Sequence, residues 1–374
     1  GLLDVALHPA FADNGLVYFS HAVTDGESRY ALAVSRAELE NDSLHNVERI
    51  FLGLPWGQST SNFGGALLFD DKGHLLITVG DRSVRSHAQH PGLLTGKIVR
   101  LHADGSVPAD NPFTDRPHTH HPAIYVTGVR NPQGLVQDPE TGFIYETEHG
   151  PMGGDEVNLV EAGNNYGWPV ISHGLNYTYK LIGEGSVKEG LEQPLFYYLP
   201  SLAISPITVY RGEMFPEWNG DLLVGTLKSG GLSKLDLLEG RVRSVSPILG
   251  ELQARIRDVK VAPDSSIWVL AETGKLYRLS REANPVRETL AVGRRDGETI
   301  YLLVCANCHD RNVPGTPQLA NKQDWLERLQ KEPQEWYRNT LEGYRGMPEK
   351  GLCEDCTNDE LKRAVFFMRN RLKQ

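Results

Sequence analysis

Along most of the chain short apolar runs alternate with turns, and one grammar recurs. LLDVALHPAFADNGLVYFSH, GGALLFDDKGHLLITVGD, GLVQDPETGFIYETEHG, FPEWNGDLLVGTLKSGGLSKLDL and RIRDVKVAPDSSIWVLAETGKLYRL each lead an apolar strand into an Asp/Pro/Gly turn and then into a second apolar strand. The turns lie about 45–80 residues apart, the period of four-stranded blades with insertions. Five such units are visible and the first starts inside a strand, so the pattern predicts an all-β six-bladed β-propeller over residues 1–282, its first blade truncated. A β-sandwich is the alternative, but it leaves the repeat unexplained.

The pattern changes after about Arg281. REANPVRETLAVGRRDGE is polar and carries Pro285, and residues 283–295 read as a linker. Residues 296–374 are charged and helix-forming, a small all-α domain. In TNDELKRAVFFMRNRL, Leu361, Val365, Met368 and Leu372 form one apolar stripe, and Thr357 with Glu360 makes a capping box.

Length and composition fit this division. A chain of 374 residues is long enough for two domains. Its net charge of −10 argues against a nucleic-acid partner. No apolar run approaches the roughly 18 residues a membrane span needs. The opening GLLDVALHPAF carries no initiator methionine or signal peptide, so Gly1 reads as an internal point of a longer precursor.

All four cysteines fall in the C-terminal quarter, and CANCH at 305–309 has haem-attachment spacing. Cys305 and Cys308 would bond the haem vinyl groups, and His309 would stand under the iron. A zinc half-site completed by Cys353 and Cys356, a thioredoxin-like pair and a chance match are the competing readings. The zinc pairs would be spaced too widely, the βαβ setting is missing, and the adjoining histidine weighs against all three. Met347, in the loop GYRGMPEKG, is a thioether able to reach the other side of the iron. Residues 296–374 resemble the cytochrome c5 type of class I cytochromes through CANCH, the GMP loop and GLCEDC. That resemblance implies His309 and Met347 as axial ligands and Cys353–Cys356 as a disulfide. Covalent haem attachment implies a periplasmic or otherwise exported location.

In the first three quarters the unusual loops are TGVRNPQG with Arg130 and Asn131, EHGPMGGDEVN, GNNYGWP, HGLNYTY, GTLKSGG with Lys228, and ARIRD with Arg255 and Arg257. Four cations from three blades suit a flat, multiply anionic ligand. Carbonyls at Gly150 and Pro151, with Glu156 nearby, suit a hard cation such as Ca²⁺. For any single one of these residues a surface ion pair or a plain turn is the commoner role.

Together GLLDVALHPAF, RNPQGL and GDEVNLVEAGNNYGWP resemble the soluble aldose sugar dehydrogenases that use pyrroloquinoline quinone (PQQ). The resemblance implies that Arg130 and Asn131 hold the cofactor and that Tyr177, Lys228, Arg255 and Arg257 line its pocket. It implies a Ca²⁺ on the main-chain oxygens of Gly150 and Pro151, and a second, structural Ca²⁺ at Glu156 and Tyr166. One departure stands out. The family's catalytic histidine falls where this chain has Asn62, in SNFGG, and an amide is no general base near neutral pH. Asp81, in TVGDR, matches a carboxylate near that site. His87, His90, His118, His120 and His121 are other candidates, each more readily an ordinary loop histidine.

The expectation is a PQQ- and Ca²⁺-dependent oxidation of a sugar or other alcohol, with electrons passed to the fused haem c and then to a downstream electron acceptor. The alternatives are a propeller that has lapsed into a docking module, and a Ca²⁺-dependent lactonase, which the cation cluster disfavours.

Overall fold

The computed structural model describes the chain except for residues 229, 239, 282–294, 311, 312, 314, 354, 355 and 374. The expected linker therefore lies outside the described residues but for Arg295. The chain divides into two compact units, Gly1–Arg281 and Glu282–Gln374.

The first unit is a succession of antiparallel sheets. The first holds β1 (Leu2–Leu7), β2 (Leu16–Thr24), β3 (Tyr30–Glu40) and β4 (Ser43–Gly57). The second holds β5 (Gly64–Phe69), β6 (Leu75–Val79), β7 (Lys97–Leu101) and β8 (Ile124–Thr127). The third is β9 (Pro132–Gln137), β10 (Ile144–Glu148), β11 (Asp155–Val160) and β12 (Phe196–Tyr198). The fourth is β13 (Ile204–Val209), β14 (Leu222–Thr226), β15 (Leu232–Leu238) and β16 (Arg241–Ile248). The last has only β17 (Ile256–Val261), β18 (Ile267–Ala271) and β19 (Leu276–Leu279).

These are blades of a β-propeller, and among the described residues there are five, not six. The first blade is also not truncated. Its opening unit supplies β1 and β2, and residues 30–57 add two long strands with no turn signal of their own kind between them and the next unit. The three-stranded blade is instead the last.

The leading strands β1, β5, β9, β13 and β17 face one another in order, and residues from all five line a central cavity of about 510 Å³. Inner strands are buried on both faces, so β6 and β14 read as continuous apolar runs rather than alternating ones. The turns explain the recurring aspartates. Asp70 accepts from the N–H groups of Lys72 (3.0 Å) and His74 (2.8 Å), and Gly73 takes the left-handed backbone (φ 77°) that closes the hairpin. Asp138, with Gly142 at φ 75°, repeats the device one blade on.

The second unit is helical. Gly297–Ile300, Tyr301–Cys305 and Ala306–His309 follow one another directly, the middle stretch wound as a wider π turn. Leu326–Leu329, Pro333–Glu342 and Asn358–Lys373 follow. Tyr301, Trp325, Trp336, Val365, Met368 and Leu372 form its core, which gives Met368 a packing role. Thr357 and Glu360 cap the last helix reciprocally, at 2.9 and 3.3 Å.

Candidate functional site

The loops that leave the inner ends of blades two and three converge on Asp81. Its own N–H donates to the Arg130 carbonyl (2.8 Å). Its Oδ1 accepts from Asn62 Nδ2 (2.9 Å) and from the Ser83 N–H (2.8 Å), and its Oδ2 from the Trp168 indole (2.9 Å). Asp81 is 1 % exposed, so this buried carboxylate is satisfied by three donors. Trp168 is in turn flanked by the guanidinium groups of Arg85 and Arg130, each 5.4 Å from its ring.

Asn131 continues the cluster. Its Oδ1 accepts from the Gly64 N–H (3.2 Å), and its Nδ2 lies 3.4 Å from His149 Nδ1. Arg130 Nη1 reaches the carbonyls of His149 (2.7 Å) and Gly150 (3.3 Å). The structure thus brings Asn62, Asp81, Arg130, Asn131 and Gly150 into one hydrogen-bonded group beside the channel lining, where Gly64 and Gln133 lie.

The Gly150 loop is built from closely packed carbonyls. A Cβ on Gly150 would stand 2.2 Å from the Gly153 oxygen and 2.4 Å from that of Gly154. Asp155, fully buried, holds the loop through the Gly150 N–H (2.9 Å). Pro151 is buried, and its carbonyl takes no hydrogen bond among the described residues. Oxygen-rich backbone of this kind fits a hard cation.

One layer deeper, β10 and β11 put Glu146 opposite Asn158 and Glu148 opposite Glu156. All four are buried, and Glu146 Oε2 and Asn158 Oδ1 have no partner among the described residues. Burial raises the carboxyl of Glu148 to about 7, although the Arg130 and Asn131 N–H groups oppose that. Burial, and then the Glu148 charge, raise Glu146 and Glu156 well above the usual range. Three buried carboxyls beside two orphaned oxygens, Glu146 Oε2 and Asn158 Oδ1, are an environment that a divalent cation would relieve. Tyr166 fits beside it, with its carbonyl free of backbone partners among the described residues and its hydroxyl donating to the Leu159 carbonyl. Among the described residues no three His, Cys, Asp or Glu side chains form a ready metal cluster, so main-chain oxygens would have to contribute.

The cations are only partly gathered. Arg255 and Arg257 both pair with Glu272, each at 2.6 Å, and Arg257 lines the channel. Arg255 also lies within electrostatic range of His149. Lys228 is exposed beyond β14, and Tyr177 is 63 % exposed. The spare histidines have local roles: His87 binds Thr95 (2.9 Å), His90 the Gly92 N–H, His121 the Ala123 N–H, and His120 stacks on Phe113. His118 is exposed.

Trp168, Arg85, Glu146, Glu148 and Asn158 escaped the sequence reading. The glutamates were visible in principle, since IYETE and DEVN alternate acidic or amide side chains onto one face of adjacent strands. A further group, the hydroxyls of Ser59, Ser61 and Ser83, meets within 3.0–3.3 Å next to Asn62.

In the helical unit, His309 is 8 % exposed and its Nδ1 contacts the Pro317 carbonyl at 2.8 Å. That contact fixes the proton on Nδ1 and leaves the Nε2 lone pair for a metal. Trp325 packs on the ring, 5.4 Å between centroids. Cys305 and Cys308 are unpaired, and Cys353 is bonded to Cys356. Met347 is half-buried in a tight loop closed by reciprocal Tyr344–Met347 backbone bonds of 3.0 Å. The thiols, imidazole and thioether together suit a covalently held haem.

Residues 1–278 match the family described as Glucose / Sorbosone dehydrogenase. The chain belongs to that family. Aldose sugar dehydrogenase YliI of Escherichia coli (strain K12) is 36% identical over 286 residues, 75% of this chain and 77% of the relative. The PQQ-bound form of aldose sugar dehydrogenase from Streptomyces coelicolor shares the fold with a TM-score of 0.61 at 22% identity, covering 76% of this chain and 77% of that one. Residues 293–368 match a second family, described as Cytochrome C oxidase, cbb3-type, subunit III. Cytochrome c5 of Ectopseudomonas mendocina is 32% identical over 78 residues, 20% of this chain and 90% of the relative. The chain is therefore a glucose/sorbosone dehydrogenase propeller followed by a cytochrome c domain, and its enzyme class is that of the sugar dehydrogenases.

Proposed function

We propose that the propeller oxidises an aldose or related polyol with PQQ and Ca²⁺, and that the cytochrome domain is its built-in electron acceptor. The observation that carries this reading is the single group formed by Asn62, Asp81, Arg130, Asn131 and the Gly150 carbonyl, in a chain that also carries Cys305, Cys308 and His309.

Arg130 and Asn131 would hold the quinone edge, one as a cation and the other through its amide. Arg255, Arg257 and Lys228 would meet its carboxylates, with Tyr177 closing the rim. The carbonyls of Gly150 and Pro151 would hold one Ca²⁺, and Glu156 with the Tyr166 carbonyl a second, where Glu146 and Glu148 add negative charge. When bound, PQQ supplies a two-electron acceptor that the side chains of this chain lack. The serine hydroxyls beside Asn62 offer hydrogen bonds to a substrate rich in hydroxyls.

Cys305, Cys308, His309 and Met347 would hold a haem, which would supply a one-electron carrier of raised potential. Tethering it to the propeller gives an effective concentration on the order of millimolar. A downstream cytochrome or oxidase would take the electrons onward. Covalent haem attachment supports a periplasmic or otherwise exported setting.

The test is reconstitution. Haem-loaded protein supplied with PQQ, Ca²⁺ and a panel of aldoses should oxidise sugar and reduce its haem, and do neither when PQQ or Ca²⁺ is withheld. Haem that stays oxidised with every sugar would refute the reading.

A further inference from the structure

Asn62 occupies a strained and closely held place. Its backbone is left-handed (φ 53°), its carbonyl accepts from the Arg82 N–H at 3.2 Å, and Gly80 packs so near that a Cβ there would stand 2.2 Å from that oxygen. Its side chain makes one hydrogen bond among the described residues, from Nδ2 to Asp81 Oδ1 at 2.9 Å.

That one bond sets the direction of the amide. An ionised carboxylate only accepts, so the NH₂ end of Asn62 faces Asp81 and the carbonyl Oδ1 faces away. Asp81 is itself held by the Ser83 N–H on Oδ1 and the Trp168 indole on Oδ2, so both of its oxygens are engaged. Oδ1 of Asn62, half-buried, is left as an acceptor with no partner among the described residues.

We propose that Asp81 is a positioning residue that aims the Asn62 carbonyl oxygen at the substrate hydroxyl, and that no side chain takes the hydroxyl proton. The inference rests on the reading that the propeller oxidises a sugar. An amide oxygen accepts a hydrogen bond but holds no proton near neutral pH. The O–H bond is therefore broken by hydroxide or a buffer base, which carries the proton away, while the bonding pair stays on the substrate oxygen.

The charged groups around Asn62 leave that arrangement intact. Asp81 is enclosed by three donors. Arg82 lies over Phe63 and binds the carbonyls of Ser59 and Ser61. Arg130 is turned to His149 and Gly150. His87 is engaged by Thr95, Glu148 by two backbone N–H groups, and His149 is half-buried with its Nε2 closed off from solvent.

Two measurements on the full haem-loaded chain test this. With PQQ, Ca²⁺ and an aldose, kcat/KM should climb from pH 5 to 9 without levelling, approaching about tenfold per pH unit, and should increase with buffer-base concentration at fixed pH. Asn62→His should create a plateau with an inflection near the ordinary imidazole value of about 6.5. A wild-type profile that already levels off between pH 5 and 8 would overturn the proposal. Independently, in protein without PQQ, the ¹⁵N side-chain amide of Asn62 should be protected from exchange, and Asp81→Ala should abolish that protection with the haem spectrum unchanged. Free exchange in the wild type would overturn the orientation. If neither wild type nor Asn62→His reduces haem with any sugar, the proposed function fails and the proton role falls with it, whereas the amide exchange still decides the Asn62–Asp81 geometry.

Discussion

Trp168 donates its indole N–H to Asp81 at 2.9 Å, joining loops 87 residues apart in the chain. The bond ties the NNYGWP loop of blade three to the carboxylate that holds Asn62. Trp168→Phe leaves an aromatic ring between Arg85 and Arg130 but removes this donor and part of a buried ring. One hydrogen bond to a buried charged group is lost, so kcat/KM for an aldose should fall roughly tenfold and stability by roughly 1–3 kcal/mol. Steady-state kinetics beside a melting curve check this.

The carboxyls of Glu146, Glu148 and Glu156 all rise on burial, Glu148 to about 7. A carboxyl raised on folding stabilises the native state fully below its unfolded value and loses that contribution as pH climbs through its folded value. Chelator-treated protein should therefore lose stability between about pH 4.5 and pH 7. Calcium should flatten that fall and raise the melting temperature most at neutral pH, where free Ca²⁺ at a hundred times Kd adds about 2.7 kcal/mol of stability. Scanning calorimetry across pH, with and without Ca²⁺, reads both effects.

Lys97 is fully buried and donates to the carbonyls of His87 (2.7 Å), Ala88 (2.9 Å) and Thr95 (3.0 Å), clamping the loop that follows β6. Burial pulls its ammonium down to about 7. The unfolded chain then binds more protons than the native one between about pH 7 and 10.5, so Lys97 makes stability rise with pH across that window. Lys97→Met should remove the rise and, by stranding three carbonyls, cost roughly 2–4 kcal/mol at pH 7. Denaturant titrations at pH 7 and pH 10 check it.

Met347 and His309 should separate two properties of the cytochrome domain. On the proposed attachment at Cys305 and Cys308, Met347→Ala should keep the haem but lower its reduction potential. A potentiometric titration reads the drop, and a stained denaturing gel reads the retained haem.

Much of this was readable in the chain. The Asp/Gly turns at Asp70 and Asp138 announce hairpins because a side-chain acceptor and a left-handed glycine are local requirements. Arg130, Asn131 and Gly150 were legible because their loops have unusual composition. The Asp81–Trp168 bond was not, since no local rule links positions so far apart. Nor was the pairing of Arg255 and Arg257 with Glu272, which depends on the β17–β18 register. The blade number failed for a similar reason. The strands at 30–57 and the outer strands of later blades lack the turn signature, so the complete first blade read as a fragment.

The claim at the centre of the account is that the haem is the propeller's own acceptor. Rapid mixing of reconstituted protein with an aldose, followed at the haem band over a range of protein concentrations, tests it most directly. An intramolecular acceptor gives a first-order reduction rate that is the same at every protein concentration. A rate that scales with protein concentration, or a haem that stays oxidised while sugar is consumed, would contradict it.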